Sequence, residues 1–219
     1  MTDDAAKSAA QRLAMVNDQL RRRGLRDERV LAVMGDVPRE RFIAPRSRHE
    51  AYADRPLPIG SGQTISQPYV VALMTQELDV QPTHRVLDVG AGSGYQTAIL
   101  ARLAGEVFAV ERLAELTAGA ADALAELGIA NVTLTTGDGT LGWPDHAPFD
   151  RILCGAAGPD VPKAWIEQLA DAGRIVMPAG GAEVQDLIAI DKRGGRITRR
   201  SICGVRFVRL IGRQGWPER

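Results

Sequence analysis

The segment RVLDVGAGSGY, residues 85–95, constrains the fold of this chain of 219 residues more than any other stretch. Its first part, Arg85 to Val89, carries β-branched residues and is mostly apolar, as buried strands are. Three glycines then alternate with small residues, and Tyr95 to Leu103 has helical spacing. A strand, a glycine loop and a helix predict a ligand site, because backbone N–H groups can approach a ligand there. Taken alone, such a loop is also typical of a plain turn.

Two further predicted strands end in polar residues or glycine. The strand from Glu106 to Val110 is followed by Glu111, about 20 positions after the loop, where this topology places a carboxylate against ribose hydroxyls. The strand from Val132 to Thr136 is followed by Gly137-Asp138-Gly139. The carboxyl ends of parallel strands meet at one edge, so we expect one crevice there. The alternative for Glu111 is a solvated charge at a helix start beside Arg112.

Composition excludes several classes of protein. The 27 basic and 27 acidic residues balance, which gives no global electrostatic case for a nucleic-acid or membrane partner. Cys154 and Cys203 form no disulfide framework. The chain has no apolar run of membrane-spanning length and no signal-peptide pattern at its start. We therefore expect a cytoplasmic, monomeric protein.

The order of elements predicts one α/β domain over residues 1–219. Residues 1–80 form a helical extension on the substrate side, 81–180 the ligand-binding core and 181–219 the last strands. Asp27 is the predicted N-cap of a second helix, and Gly24 ends the first. Strands and helices alternate after residue 85, and a hairpin at Gly194-Gly195 ends the pattern. This order indicates a doubly wound, mostly parallel sheet with an antiparallel C-terminal edge.

Three segments before this core allow more than one interpretation. The run Arg21-Arg22-Arg23 is either a phosphate-binding patch or a set of cations that complement a helix C-terminus. Residues 42–62 are rich in Pro, Arg and Gly and predict a long loop that acts as a lid or pocket wall. Ser66 or Gln67 is the predicted N-cap of a helix that runs to Leu78.

Residues 86–95 resemble motif I of S-adenosylmethionine-dependent methyltransferases. Three further blocks resemble the protein-L-isoaspartate (D-aspartate) O-methyltransferases, namely residues 56–60 with 63–68, 137–150 and 205–208. The similarity extends from about residue 30 to 212. It implies a Rossmann-like class I methyltransferase fold with added N-terminal helices and reordered last strands. It also implies methylation of the free α-carboxylate of isoaspartyl residues in damaged proteins and peptides, after which the ester closes to a succinimide and hydrolysis returns some normal aspartate.

The resemblance also implies the site residues. The cofactor is S-adenosylmethionine, which leaves as S-adenosylhomocysteine, and no metal is expected. Asp88 would face the loop amides or the methionine ammonium, Glu111 the ribose hydroxyls and Asp138 the adenine amine. The cofactor-binding residues are Asp88, Gly90, Gly92, Gly94, Glu111, Gly137 and Asp138, with Val71 and Ile211 as further contacts. The substrate-binding residues are Gln63, Thr64, Ile65, Ser66 and Val208.

The chemistry of the implied reaction needs no general base. A carboxylate with a pKa near ~4 is already ionised at neutral pH. His49, His84 and His146 are scattered outside the sequence blocks, so we expect no catalytic dyad. Catalysis then rests on positioning and on a dry pocket. Ser66 is the predicted catalytic residue, which orients the substrate carboxylate with its hydroxyl and the amides of the helix start; the alternative is a plain helix cap.

Two other functions share these blocks. One is a related carboxyl methyltransferase that acts on aspartate in one dedicated peptide, and the other is a catalytically silent S-adenosylmethionine-binding module. A nucleic-acid methyltransferase is disfavoured because the chain lacks an Asn/Asp-Pro-Pro-Tyr/Phe block. The chain departs from the family at Arg209, where bacterial relatives usually carry proline, and at Cys154-Gly155-Ala156-Ala157.

Overall fold

The computed structural model describes residues 3–218. Within them, the helices are α1 (Asp3–Ala14), α2 (Glu28–Asp36), α3 (Pro68–Leu78), α4 (Tyr95–Leu103), α5 (Ala114–Glu126) and α6 (Lys163–Gln168). The strands are β1 (Leu57–Gly60), β2 (Gln63–Ile65), β3 (Arg85–Val89), β4 (Glu106–Glu111), β5 (Val132–Thr136), β6 (Phe149–Cys154), β7 (Leu169–Gly180), β8 (Gln185–Arg193) and β9 (Arg196–Val205).

The ends of the N-terminal helices confirm the predicted signals. After α1 the chain continues as a π-helical segment (Met15–Leu20) and a 3-10 turn (Arg21–Arg23). It ends at Gly24, whose φ of 96° is a left-handed conformation that favours glycine. The Asp27 carboxylate accepts the backbone N–H groups of two residues in the first turn of α2, so Asp27 is the predicted N-cap.

The run Arg21-Arg22-Arg23 is engaged in ion pairs. Arg21 pairs with Glu28, Arg22 with Asp18, and Arg23 with Asp54. Each guanidinium therefore already has a carboxylate partner. These contacts argue against a phosphate-binding patch and leave a structural role for the run.

A seven-stranded sheet in the order β5-β4-β3-β6-β7-β8-β9 forms the centre of the molecule. Strands β3 to β7 pair in parallel, whereas β7–β8 and β8–β9 pair antiparallel. This confirms the doubly wound sheet with an antiparallel edge. The chain runs outward from β3 through β4 to β5, and then from β6 in the opposite direction. The direction changes between β3 and β6, which is where open α/β sheets bind ligands.

Successive residues of the strands enter two cores on opposite faces of the sheet. Val86 of β3 packs into a core that includes buried residues of the N-terminal helices, α3 and α4. Leu87 points to the other face, where it packs in a core with Trp165 of α6. This alternation follows from the two-residue period of a strand. Both faces are covered, which leaves the edge at the strand ends open for a site.

The segment 42–62 differs from the predicted long loop. It contains a 3-10 segment, Pro45–Glu50, and the strand β1, which pairs antiparallel with β2 through Leu57 and Ile65. Strands of three or four residues are too short to show a periodic pattern, and Pro and Gly hide them further. The segment therefore carries a defined hairpin beside the sheet edge.

We expect Gly94→Ala to lower the free energy of unfolding by about 1–3 kcal/mol. Gly94 has a φ of 87°, and an added Cβ would lie 3.1 Å from Ala120 Cβ and 3.3 Å from its Cα on α5. Urea denaturation measures the loss. Gly119→Ala is the matched control, because a Cβ there meets nothing within 4 Å. Equal stabilities of the two variants would contradict this account of the loop.

Candidate active site

The first crevice lies at the carboxyl ends of β3, β4 and β6. Gly90 and Gly92 of the glycine loop line it. Their φ angles of 78° and 56° favour glycine, and because glycine has no side chain this space stays open. An added Cβ at Gly92 would lie 3.4 Å from the Ile59 side chain across the crevice. Its apolar lining includes Val89, Val110, Leu113 and Ile211. The Gly90 N–H donates to the Val110 carbonyl and the Gly92 N–H to Glu111, so the loop contributes open space rather than free donors, and the apolar residues offer a dry surface for a flat ring.

Glu111 is held in a fixed orientation at this crevice. It is only 6% exposed, and its Oε2 accepts the Gly92 N–H at 2.8 Å while Oε1 accepts the Leu113 N–H at 2.9 Å. Arg112 pairs with Glu218 instead. The alternative of a solvated charge beside Arg112 does not fit this geometry. Each carboxylate oxygen keeps a free lone pair, so Glu111 can still accept hydrogen bonds from two hydroxyls.

Asp88 lies beneath the glycine loop rather than in the crevice. It is completely buried, and its Oδ2 accepts the hydroxyl of Thr97 on α4 at 2.6 Å. Its Oδ1 has no hydrogen-bond partner among the described residues. Burial raises the pKa of Asp88 to about 7; the bond from Thr97 opposes the rise and the nearby Glu111 adds to it. The structure therefore shows Asp88 joining β3 to α4, with no contact to the loop amides.

We expect Asp88 to make stability fall as pH rises toward 7. The folded protein keeps the Asp88 proton up to about pH 7, whereas the ordinary pKa of an aspartate side chain is 3.8. Between these values the folded state binds more protons than the unfolded state. The free energy of unfolding therefore drops by up to about 1.4 kcal/mol per pH unit through this group. Urea unfolding of the wild type and Asp88→Asn at pH 5 to 8 tests this. We expect the difference in free energy of unfolding between the two proteins to change up to about pH 7 and then to stay constant. A difference that is the same at every pH would contradict this role of Asp88.

Gly137 and Asp138 stand next to the first crevice but do not line it. The Asp138 Oδ1 accepts the backbone N–H and the hydroxyl of Thr140, and Oδ2 accepts the Arg213 N–H at 2.8 Å. Asp138 thus ties the end of β5 to the C-terminal segment. The neighbouring Gly139 does line the crevice. The contact between Asp138 and an adenine amine stays a prediction.

The second crevice continues from the first beyond the glycine loop. It is lined by Ser66 before α3, by Val71 of α3 and by the side of the loop that carries Ser93. Ile65 is buried at its wall. The first and second crevices share Thr64, Gly90, Gly92 and Gly155. They therefore form one continuous space beside the glycine loop.

Of the two residues predicted as the N-cap of this helix, the structure confirms Gln67 rather than Ser66. Gln67 is the N-cap residue of α3, and its own side chain makes no capping bond. The Tyr69 N–H is instead accepted by Asp54, at 3.3 Å, and Pro68 has no N–H. Two of the amides expected to hold a substrate carboxylate are therefore not available. The Ser66 hydroxyl has no hydrogen-bond partner among residues 3–218. It is therefore the polar group left here that could hold a substrate carboxylate.

An outer groove opens from the second crevice toward the surface. Its wall includes Tyr69 of α3, Arg206 and Phe207, and it contains Ser66 and Thr64. Val208 lies in both the groove and the first crevice. The predicted substrate residues Gln63, Thr64, Ile65, Ser66 and Val208 therefore surround the region where the three spaces meet.

Sequence analysis missed the central position of Gly155. This residue lines the first crevice, the second crevice and the outer groove. An added Cβ would lie 3.1 Å from the Gly90 carbonyl oxygen. The signal that was available is the glycine that directly follows β6. Any side chain at this position would crowd the Gly90 carbonyl of the glycine loop.

Arg209 closes one wall of the first crevice. Its guanidinium carbon lies 5.6 Å from the centroid of the Trp216 ring, a cation–π arrangement. The backbone around it bonds to Ala157, because the Ala157 N–H donates to the Val208 carbonyl and the Leu210 N–H to the Ala157 carbonyl. The C-terminal wall is therefore intact with arginine at the position where proline is usual.

The described residues hold neither a metal-ligand cluster nor a membrane-crossing helix. Over residues 3–218, His, Cys, Asp and Glu side chains form no group of three or more that could bind a metal ion. No helix in this part of the chain is long and apolar enough to span a bilayer.

A family model described as Protein-L-isoaspartate(D-aspartate) O-methyltransferase (PCMT) matches residues 10–215. The chain belongs to this family. A protein-L-isoaspartate O-methyltransferase of Methanoregula boonei is 54% identical over 208 residues, which cover 95% of this chain and 96% of the relative. The enzyme of the same name from Koribacter versatilis is 50% identical over 213 residues, with 97% and 96% covered.

Solved structures of the isoaspartate methyltransferase family share this fold. A protein-L-isoaspartate O-methyltransferase from Plasmodium falciparum, in complex with S-adenosyl-L-homocysteine, superposes with a TM-score of 0.81 at 27% identity. The match covers 91% of this chain and 98% of that one. A second protein-L-isoaspartate O-methyltransferase superposes with a TM-score of 0.82 at 26% identity, covering 94% of this chain and 67% of that one. The predicted class I methyltransferase fold is thereby confirmed.

Proposed function

We propose an assignment of the two crevices and the groove to the reaction of this family. That reaction, which this chain performs, transfers the methyl group of S-adenosylmethionine to the free α-carboxylate of an L-isoaspartyl residue in a damaged protein or peptide. The first crevice and the adjoining part of the second hold the cofactor. The outer groove holds the isoaspartyl chain. Ser66 stands between them.

The residues of the first crevice fit S-adenosylmethionine. Glu111, held by two backbone amides, is an acceptor for both ribose hydroxyls. Gly90 and Gly92 leave room for the methionine and ribose portions, because a side chain at Gly92 would meet Ile59. Val110, Leu113 and Ile211 supply an apolar surface for adenine. We assign Asp88 and Gly94 to the support of the loop, and Gly137 and Asp138 to the wall beside the adenine.

Bound S-adenosylmethionine supplies an electrophilic methyl group next to a positive sulfur. The chain has to bring a substrate carboxylate to that group and to keep water away. A carboxylate that is already ionised requires no proton acceptor from the protein. Positioning of this kind can supply up to about 7–11 kcal/mol. The apolar lining of the two crevices favours the approach of two opposite charges, because both are poorly solvated there.

Ser66 is the residue that we assign to the substrate carboxylate. The observation that carries the assignment is its location, since it lines both the second crevice and the outer groove. Its hydroxyl makes no bond within the described chain, so it is free to donate to a carboxylate. Thr64 lies in all three spaces, and Gln63 lines the first crevice. These residues and Val208 complete the proposed substrate site.

We also propose the organisation of the whole protein. One methyltransferase domain comprises a substrate-side part (1–80), a cofactor-binding core (81–180) and the C-terminal strands (181–219). Residues of one chain line both crevices and the groove, and we propose that the protein is a monomer. Balanced charge supports a protein substrate rather than nucleic acid. We also propose a cytoplasmic location.

Methyl transfer to a matched peptide pair tests the proposed function. One peptide carries isoaspartate and the other carries aspartate at the same position, and labelled S-adenosylmethionine is the donor. Label in the isoaspartyl peptide alone, released as volatile methanol in alkali, is the expected result. Label in the aspartyl peptide alone would instead indicate a dedicated peptide substrate. Tight binding of S-adenosylmethionine with label in neither peptide would indicate a silent binding module.

A further inference from the structure

Asp54 joins three parts of the structure beside Ser66. Its Oδ1 accepts the Tyr69 N–H at 3.3 Å, and its Oδ2 accepts from Gln67 Nε2 at 2.7 Å. The same Oδ2 pairs with Arg23 at 2.6 Å. Gln67 and Tyr69 follow Ser66 at the start of α3. A carboxylate from outside the helix therefore occupies the position that an N-cap side chain would take.

This outside cap changes what Ser66 can do. Serine before a helix usually accepts a backbone N–H of the first turn. Here Asp54 satisfies the Tyr69 N–H, and Gln67 rather than Ser66 is the N-cap residue. The Ser66 hydroxyl thus faces the second crevice and the outer groove without competition from the helix backbone.

We propose that Asp54 is a positioning residue for methyl transfer. It caps α3 from outside at the Tyr69 N–H and holds the side-chain amide of Gln67, so that the Ser66 hydroxyl stays available to the isoaspartyl carboxylate. The proposal rests on the role assigned to Ser66 above.

Arg23 makes this arrangement compatible with an anionic substrate. A lone carboxylate beside the site would repel the substrate carboxylate. The Arg23 guanidinium pairs with Asp54 and lies 3.5 Å from the centroid of the Tyr69 ring. The Asp54 side chain is only 24% exposed, so the pair is partly shielded from solvent. The N-terminal extension therefore contributes the charge that neutralises the cap.

A double-mutant cycle between Asp54→Ala and Ser66→Ala tests the proposal. The readouts are kcat and KM for an isoaspartyl peptide and the affinity for S-adenosylmethionine. In the wild-type background we expect Asp54→Ala to lower kcat about tenfold or more, with cofactor affinity unchanged. In the Ser66→Ala background we expect the same change to lower kcat by less than about twofold.

The possible outcomes separate this inference from the proposed function. Losses that multiply in the double variant would show that Asp54 does not act through Ser66, and would overturn the inference while Ser66 keeps its role. A Ser66→Ala variant with full kcat would overturn the role of Ser66 and the inference with it. A kcat loss in the double variant that is smaller than the product of the two single losses supports both the role of Ser66 and the inference about Asp54.

Two further variants control for stability. Asp27→Ala removes the equivalent carboxylate cap of α2, which lines neither crevice nor the outer groove, and is expected to lower the melting temperature with kcat unchanged. A kcat loss in Asp27→Ala as large as in Asp54→Ala would overturn the inference, because any lost cap would then suffice.

Asp54→Asn keeps an acceptor for the Tyr69 N–H and serves where Asp54→Ala does not fold. It is expected to retain most of the wild-type kcat, and an Asn variant that folds and binds cofactor normally but turns over about tenfold more slowly would count against capping.

Discussion

Ser66→Ala is expected to lower kcat for an isoaspartyl peptide about 10–100-fold, with the affinity for S-adenosylmethionine unchanged. The hydroxyl lies where the second crevice meets the outer groove and has no partner within the described chain. A hydrogen bond to a charged group is worth about 1.5–3 kcal/mol, and its loss in the transition state lowers the rate in proportion. The helix itself should survive, because Asp54 rather than Ser66 caps it.

Steady-state kinetics and calorimetric titration of the same preparations measure the Ser66 effect. Ser201→Ala, an exposed serine on β9 outside both crevices, is the matched control and should behave as the wild type. Equal losses of kcat and cofactor affinity, together with a lower helix content by circular dichroism, would show that Ser66 merely supports α3.

Glu111→Ala is expected to weaken S-adenosylmethionine binding by about 1–3 kcal/mol, or about 5–150-fold in Kd. The carboxylate accepts N–H groups from Gly92 in the glycine loop and from Leu113 before α5, and it presents its remaining lone pairs to the first crevice. Its removal would take away the ribose acceptor and leave two amides without their partner. Loss of ligand contact and loss of loop order therefore act in the same direction.

Calorimetric titration with S-adenosylhomocysteine measures the Glu111 effect without turnover. Glu106→Ala is the control, since Glu106 lies at the other end of β4 and pairs with Arg85 on the surface. Its affinity is expected to match the wild type. An unchanged affinity in Glu111→Ala would refute the assignment of the first crevice to the ribose.

The part of the site that depends on local sequence could be predicted. A strand followed by glycines and a helix places the loop without any distant contact, and Glu111 follows from the end of the next strand. The structure confirms β3, α4 and β4 at nearly the predicted bounds. Motif spacing suffices here because neighbouring parallel strands present their carboxyl ends at the same edge.

The parts that depend on distant contacts could not be predicted from local signals. The N-cap position was predicted correctly at Ser66 or Gln67, but the sequence did not show that Asp54, 14 positions before the helix, supplies the capping carboxylate. Asp138 is held by the N–H of Arg213 across the chain. The orientation of Asp88 toward Thr97, away from the crevice, depends on how α4 packs on β3. In each case a polar group forms a hydrogen bond with a residue that the spacing of sequence motifs does not indicate.

A crystal structure of the protein with S-adenosylhomocysteine and an isoaspartyl peptide would show directly whether Ser66 binds the substrate carboxylate. The quantity to measure is the distance between Ser66 Oγ and the nearer oxygen of the isoaspartyl α-carboxylate. We expect a hydrogen bond of about 2.5–3.0 Å, with the peptide in the outer groove and the ribose on Glu111. A carboxylate held elsewhere, with both oxygens more than about 3.5 Å from Ser66 Oγ, would contradict it.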